Sequence, residues 1–144
     1  MTTNKKIIGA TAKEYNGIKF KSKLEVTVYS TLLQEGFKPK YEEEKFVVWE
    51  GFKPTVPFYN KDKVTRLLKI EDVKVRDITY TPDFTFEYKD TLIVIEAKGF
   101  ENDTFPIKKK LFRKYLEKNR PSSLYFEIYT KKQLMQAISI IKAL

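Results

Sequence analysis

The sequence contains no cysteine and no histidine. The first absence removes disulfide cross-links, thiolate zinc sites and cysteine nucleophiles. The second removes the commonest general base, the Ser-His-Asp triad and imidazole ligation. Any metal must therefore be held by oxygens, which favours hard ions such as magnesium or manganese. Long apolar runs are missing as well, and none approaches the ~20 residues needed to span a bilayer. Met1 to Lys6 are polar and basic and lead into no apolar h-region, so a soluble, cytoplasmic protein is expected.

Acidic residues are in deficit. Against 28 Lys and Arg stand 19 Asp and Glu, a net charge of +9. Such a chain is drawn to polyanions, nucleic acid among them, although a basic soluble protein need not bind any. With 144 residues, 42% of them apolar, the chain suits one compact domain with a real core.

Residues 1–16 are polar and weakly patterned, and read as an N-terminal arm or a short lead-in strand. Asn16-Gly17 signals a turn. Ser22-Lys23-Leu24-Glu25 has capping-box spacing. Leu24, Val28, Leu32 and Leu33 then recur at helical intervals, so a helix is expected over 23–35, stopped by Gly36. Tyr41 to Trp49 reads as a strand, Gly51 to Asn60 as a proline-containing loop or edge strand, and Val64 to Ile70 as a further strand. The alternation from Val73 to Tyr88 suggests one long strand, or two collinear ones interrupted at Pro82. Lys89-Asp90 is a hairpin turn leading into Thr91–Ala97, whose run Leu92-Ile93-Val94-Ile95 suits a central strand buried on both faces. Ile107 to Asn119 is helical, with Ile107, Leu111, Phe112, Tyr115 and Leu116 as its apolar side. Leu124–Tyr129 is a strand, and Lys131–Leu144 a helix with Leu134, Ala137, Ile138 and Ile141 on one face. The expected architecture is α/β, a mixed α+β fold with a central mixed sheet flanked by helices.

One constellation carries chemistry. Asp83 follows Pro82, Glu96 ends the buried strand after the hairpin, and Lys98 is two positions further on. Residues i and i+2 of a strand share a face, so Glu96 and Lys98 project together, with Asp83 beside them on the antiparallel neighbour. Charges on a buried strand cost free energy unless they are paired or bind a metal. A divalent ion held by Asp83, Glu96 and the Ala97 carbonyl would polarise a phosphate oxygen and acidify a water. Lys98 would orient or deprotonate that water. Alternatively, Glu96 and Lys98 form a plain ion pair at a strand end and Pro82-Asp83 is only a turn. Lys108, Lys109, Lys110, Arg113 and Lys114 then form a basic helix face, either tracking phosphates or merely solvated. Lys21 and Lys23 offer the same choice near Glu25. Phe100 and Phe105 could stack on bases, but core packing is the simpler role, as it is for Trp49 and the tyrosines.

Thr81-Pro82-Asp83-Phe84 with Ile95-Glu96-Ala97-Lys98-Gly99 resembles the PD-(D/E)XK, or restriction-endonuclease-like, nuclease superfamily. The segment Gly17–Glu25 resembles the start of phage-type members such as the endonuclease I group of Holliday-junction resolvases. The resemblance spans about residues 17–119. It implies a single restriction-endonuclease-like domain with an αβββαβ core. It also implies a magnesium-dependent DNA endonuclease, with manganese as a substitute, of phage or mobile-element origin and with branched DNA as a candidate substrate. It places Glu25 at the metal site, making Glu25, Asp83, Glu96 and Lys98 the catalytic set. The local sequence offers Glu25 a second role, as the N3 residue of the capping box. Resolvases cut two strands symmetrically, so a homodimer is implied, although no seam is visible. The competing class is a nuclease-like module that binds nucleic acid without cutting it. The segment 50–78 stands outside the family pattern as an insertion.

Overall fold

A computed structural model describes residues 13–98 and 102–144. Lys13 to Asn16, expected within an arm or a short lead-in strand, begin a hairpin of β1 (Glu14–Tyr15) and β2 (Ile18–Lys19). Its turn residues Asn16 and Gly17 both take positive φ, 56° and 78°, the backbone that lets a two-residue turn follow strand twist. Helix α1 (Lys23–Gln34) opens with the expected capping box between Ser22 and Glu25. It closes where Gly36, at φ 91°, lets its own N–H reach the Leu33 carbonyl and that of Phe37 reach Leu32.

The central sheet contains β3 (Lys40–Tyr41), β8 (Phe84–Tyr88), β9 (Thr91–Ala97) and β10 (Ser123–Ile128), in the order β10-β9-β8-β3. Strand β9 pairs antiparallel with β8 and parallel with β10, so the sheet is mixed. Lys89 and Asp90 close the β8–β9 hairpin with φ of 48° and 63°, as the turn signal required. Two further described helices are α2 (Phe105–Asn119) and α3 (Lys131–Lys142). Taken along the chain, α1, β3, β8, β9, α2 and β10 give the order αβββαβ, followed by α3.

Strand β9 divides the core. Ile93 and Ile95 face α1 and α3 and pack with Val28, Leu32, Phe84, Leu134 and Ile141. Leu92 and Val94 face the other way, toward Phe105, Phe112 and Leu116 of α2. Both layers exclude water from the strand, which is why its sequence is apolar without alternation.

Several expectations need correction. Tyr41–Trp49 is not one strand. Glu42 takes φ 50° and turns the chain out of the sheet after β3, and β4 (Phe46–Trp49) pairs instead with β7 (Ile78–Tyr80). Strands β7 and β8 therefore lie in different sheets, with Pro82, which has no N–H to donate, between them. In 64–70 only Leu68–Ile70 is strand. The Asp62 carboxylate captures the N–H groups of Val64 and Thr65 and holds that stretch as a loop. Ile107 is exposed, because α2 begins two residues earlier and Phe105 takes the buried position. Trp49 is 38% exposed and lies edge-on to Phe52 at 5.9 Å. Phe105 is core, whereas Gly99 and Phe100 fall outside the described residues. No described helix is long and apolar enough to cross a membrane.

Candidate functional site

Strand register assembles the site. Phe84 lies opposite Ile95, so Asp83 and Glu96 stand across from each other at the open end of the β8–β9 pair. The Ala97 N–H donates to Asp83 Oδ2 at 2.8 Å, fixing that carboxylate against the strand end. Glu96 accepts from the Tyr80 hydroxyl on one oxygen and pairs with Lys98 Nζ on the other at 3.1 Å. The Lys98 ammonium also rests 4.0 Å above the centre of the Phe105 ring, so an apolar face and a carboxylate position it together. Glu25, Asp83 and Glu96 are all buried.

A fourth carboxylate, overlooked in the sequence, comes from β3. Tyr41 pairs with Phe84, and the Glu42 N–H donates to the Asp83 carbonyl at 2.8 Å. Glu25, Glu42 and Asp83 each offer a carboxylate oxygen, and these oxygens lie within 4.8 Å of one another. The three could hold a hard cation, with Glu96 and Ala97 lining the same cleft.

Glu25 caps the helix and also stands in the acidic group. Its Oε1 accepts from the N–H groups of Lys21 (2.7 Å) and Ser22 (3.1 Å) and from the Tyr41 hydroxyl (3.1 Å). The described hydrogen bonds all fall on that oxygen. One oxygen thus caps the helix while the same side chain contributes to the acidic group.

Electrostatics reflect this crowding. Burial, and then the Glu96 charge, push the Asp83 carboxyl up to about 8, against the opposing pull of the Ala97 N–H. Burial and Glu96 likewise hold the Tyr80 phenol far above its usual range, so it stays a donor. Burial, Glu25 and Glu42 do the same to Tyr41. The hydrogen bond to Glu42, at 2.9 Å, raises Lys21. Without a cation, one carboxyl of this cluster carries a proton at neutral pH.

The cleft, of about 660 Å³, is also lined by Lys21, Thr81, Asn102 and Lys108. The other expected basic residues are dispersed. Lys109 pairs with Glu127 at 2.8 Å, lies 5.3 Å from the centre of the Phe105 ring and lines, with Arg113, a second groove along α2. Lys114 lines a third depression beside Trp49, and Lys110 and Lys23 are exposed. A single helix cannot aim five cations at one place, because successive side chains step 100° around it.

A family model described as "Protein of unknown function (DUF1064)" matches residues 5–137. The chain belongs to the DUF1064 family. No curated protein and no solved structure matches it. The DUF1064 match encloses every residue of the cleft, from Lys21 to Lys108. Two of those residues had no distinct signal. Glu42 sits in the run Glu42-Glu43-Glu44, which does not reveal which member turns inward. Tyr80 was visible only as a strand aromatic.

Proposed function

We propose that this DUF1064 protein is a divalent-metal-dependent DNA endonuclease built on a restriction-endonuclease-like core. The observation that carries the proposal is the convergence of Asp83, Glu96 and Lys98 on one strand-end cleft, with Glu25 and Glu42 packed against Asp83. The donor set consists of oxygens, and burial together with the Glu96 charge disfavours the ionised Asp83 carboxylate unless a cation joins it. It therefore fits magnesium, with manganese as a substitute. Glu25, Glu42 and Asp83 would hold the ion, with Glu96 and the Ala97 carbonyl alongside. Bound there, it would lower the pKa of a water and polarise a phosphate oxygen.

The protein's own groups supply the rest. Lys98, held by Glu96 and the Phe105 ring, orients the attacking water and meets the charge that grows on phosphorus. Tyr80 donates to Glu96 and keeps it from swinging away from the cleft. Lys21 and Lys108 at the rim, and Lys109 with Arg113 beyond it, engage successive phosphates. Selectivity for branched DNA or Holliday junctions, and a phage origin acting in the host cytoplasm, follow from the resemblance to the endonuclease I group.

The test is cleavage of supercoiled plasmid and of a synthetic four-way junction with magnesium, manganese or chelator, using Asp83→Ala as control. Metal-dependent cutting that disappears in the variant supports the proposal. Binding to both substrates without cutting under any metal replaces it with a non-catalytic nucleic-acid module.

A further inference from the structure

Tyr80 reaches the cleft from outside the central sheet. Its strand β7 pairs with β4 across an arm, residues 52–75, in which β5 (Tyr59–Lys61) and β6 (Leu68–Ile70) pair with each other. At the arm's root Phe52 and Val75 exchange both backbone hydrogen bonds, at 2.9 and 2.8 Å. The hydroxyl that holds Glu96 is therefore carried by a separate two-stranded sheet, and packing must keep it in place. Phe112 of α2 supplies that packing. Its ring centre lies 4.8 Å from that of Tyr80 and 5.1 Å from that of Tyr125, which it meets edge-on at 87°. Tyr125 comes from β10, where it stands opposite Val94 and so on the sheet face that Glu96 shares with Val94.

Three oxygens thus form a row. Glu96 accepts from the Tyr80 hydroxyl, and the Tyr80 and Tyr125 hydroxyl oxygens lie 2.9 Å apart. Among the described residues the Tyr125 hydroxyl has no other hydrogen-bond partner. Distance alone leaves the direction of this second bond open, but the supply of hydrogens decides it. A phenol carries one hydrogen. Burial holds both phenols above their usual range, so each keeps its hydrogen at neutral pH. Glu96, paired through its other oxygen with Lys98 at 3.1 Å, is a carboxylate with none to give. Tyr80 commits its hydrogen to Glu96, so Tyr125 is the donor to Tyr80. A hydroxyl that accepts a hydrogen bond donates a stronger one. The Tyr125 hydrogen also closes off the alternative, in which Tyr80 turns its own hydrogen to the Tyr125 oxygen and releases Glu96.

We propose that Tyr125 is a positioning residue of the cleft, directing the single Tyr80 hydrogen onto Glu96 and, through it, setting the Glu96–Lys98 pair. It acts through Tyr80 and not by contact with substrate. Its catalytic consequence rests on the nuclease reading, whereas its geometry does not. Tyr125 also lines the second groove with Lys109 and Arg113, so the competing role for its hydroxyl is direct contact with nucleic acid there.

The first test is proton NMR of the metal-free protein. The hydroxyl proton between Tyr80 and Glu96 should appear far downfield and vanish in Tyr80→Phe. Tyr125→Phe keeps the ring and removes only the donor, so it should move that resonance upfield. A wild type without such a resonance overturns the proposal, as does a resonance that Tyr125→Phe leaves in place or moves further downfield. The second test is a double-substitution cycle on single-turnover cleavage at saturating DNA and magnesium. Tyr80→Phe should slow the step roughly 10- to 100-fold, and Tyr125→Phe roughly 3- to 10-fold. The dissociation constant for DNA should stay within about twofold in both. Tyr80→Phe/Tyr125→Phe should be no slower than Tyr80→Phe, because a residue acting only through Tyr80 then has nothing to act on. Additive losses overturn the proposal and leave Tyr125 a merely structural residue. Weaker DNA binding at an unchanged rate overturns it in favour of a groove contact. A wild type that cuts nothing with any metal defeats the nuclease reading, and the proton resonances then decide the hydrogen-bond direction by themselves.

Discussion

Glu42 holds its place in the cleft at a cost that can be measured. Its φ of 50° lies in the left-handed region, where a residue with a Cβ is disfavoured by roughly 1 kcal/mol and asparagine is better tolerated. Its carboxylate also faces that of Glu25, with oxygens within 4.8 Å. Two unit charges at that distance repel by about 3 kcal/mol at an effective dielectric of 20, and solvent at the partly exposed Glu42 reduces this to ~1 kcal/mol. Asp83, pushed up to about 8, is largely neutral at pH 7 and adds little to the repulsion. Against these terms stands the pair with Lys21, whose side chain is 73% exposed and contributes at most about 1 kcal/mol. Glu42→Asn should therefore stabilise the metal-free protein by about 1 kcal/mol, a rise in Tm of several degrees. Glu42→Ala loses the repulsion but keeps the strain, so it should fall below Asn by ~0.5–1 kcal/mol. Magnesium affinity should drop roughly 10- to 100-fold in both. Thermal melts with and without magnesium, and calorimetric titration of the ion, read all of these quantities. A metal-free Glu42→Asn protein less stable than wild type, or one binding magnesium as tightly, would refute the assignment of Glu42 as a strained ligand.

Other expectations follow from the same cluster. Because folding raises the Asp83 carboxyl from 3.8 to about 8, its contribution to stability is complete below pH 4 and is lost as pH rises toward 8. The metal-free protein should lose up to about 1.4 kcal/mol per pH unit across that window, and magnesium should restore more stability at pH 8 than at pH 5. Melting curves at the two pH values check this. Glu25→Gln should keep the helix cap, since Gln serves at N3, yet weaken magnesium binding at least tenfold, whereas Glu25→Ala should also lose about 1 kcal/mol of stability. Lys98→Ala should slow cleavage by ~100-fold or more while leaving DNA binding within a few-fold, as measured by single-turnover kinetics and a gel-shift titration. Lys108→Ala should lower the salt slope of DNA binding by about 1, and Lys110→Ala should leave it unchanged.

Local chemistry made much of the molecule readable in advance. The Leu92–Ile95 run, the Lys89-Asp90 turn, the Ser22–Glu25 box and the stripe Leu134, Ala137, Ile138, Ile141 each depend on neighbours in the chain, and each forms as expected. The Asp83–Glu96 juxtaposition was legible for the same reason, since a two-residue turn fixes hairpin register. What escaped depends on distant partners. Glu42 reaches the site only because a two-residue strand docks on β8. Strands β4 and β7 join across the whole arm, so no local pattern could separate them from the central sheet. The directions of the basic helix's side chains were not legible, because composition registers charge without direction: Lys108 lines the cleft while Lys109 and Arg113 line another groove.

At the arm's root, Gly51 donates its N–H to Asp77 Oδ1 at 2.7 Å, and a Cβ there would meet the Val75 carbonyl at 2.0 Å. The two legs of the arm are thus clasped backbone to backbone where they meet the body, and the chain departs and returns through a gap only glycine fits. A segment fastened in this way behaves as a cassette. Its length can change at a cost that grows only with the logarithm of the loop, and its sequence can diverge without disturbing the sheet. Related proteins can therefore exchange arms while keeping one cleft. An engineer can replace residues 53–74 with a tight turn, or with a foreign module, and expect the remaining fold to form around the same clasp.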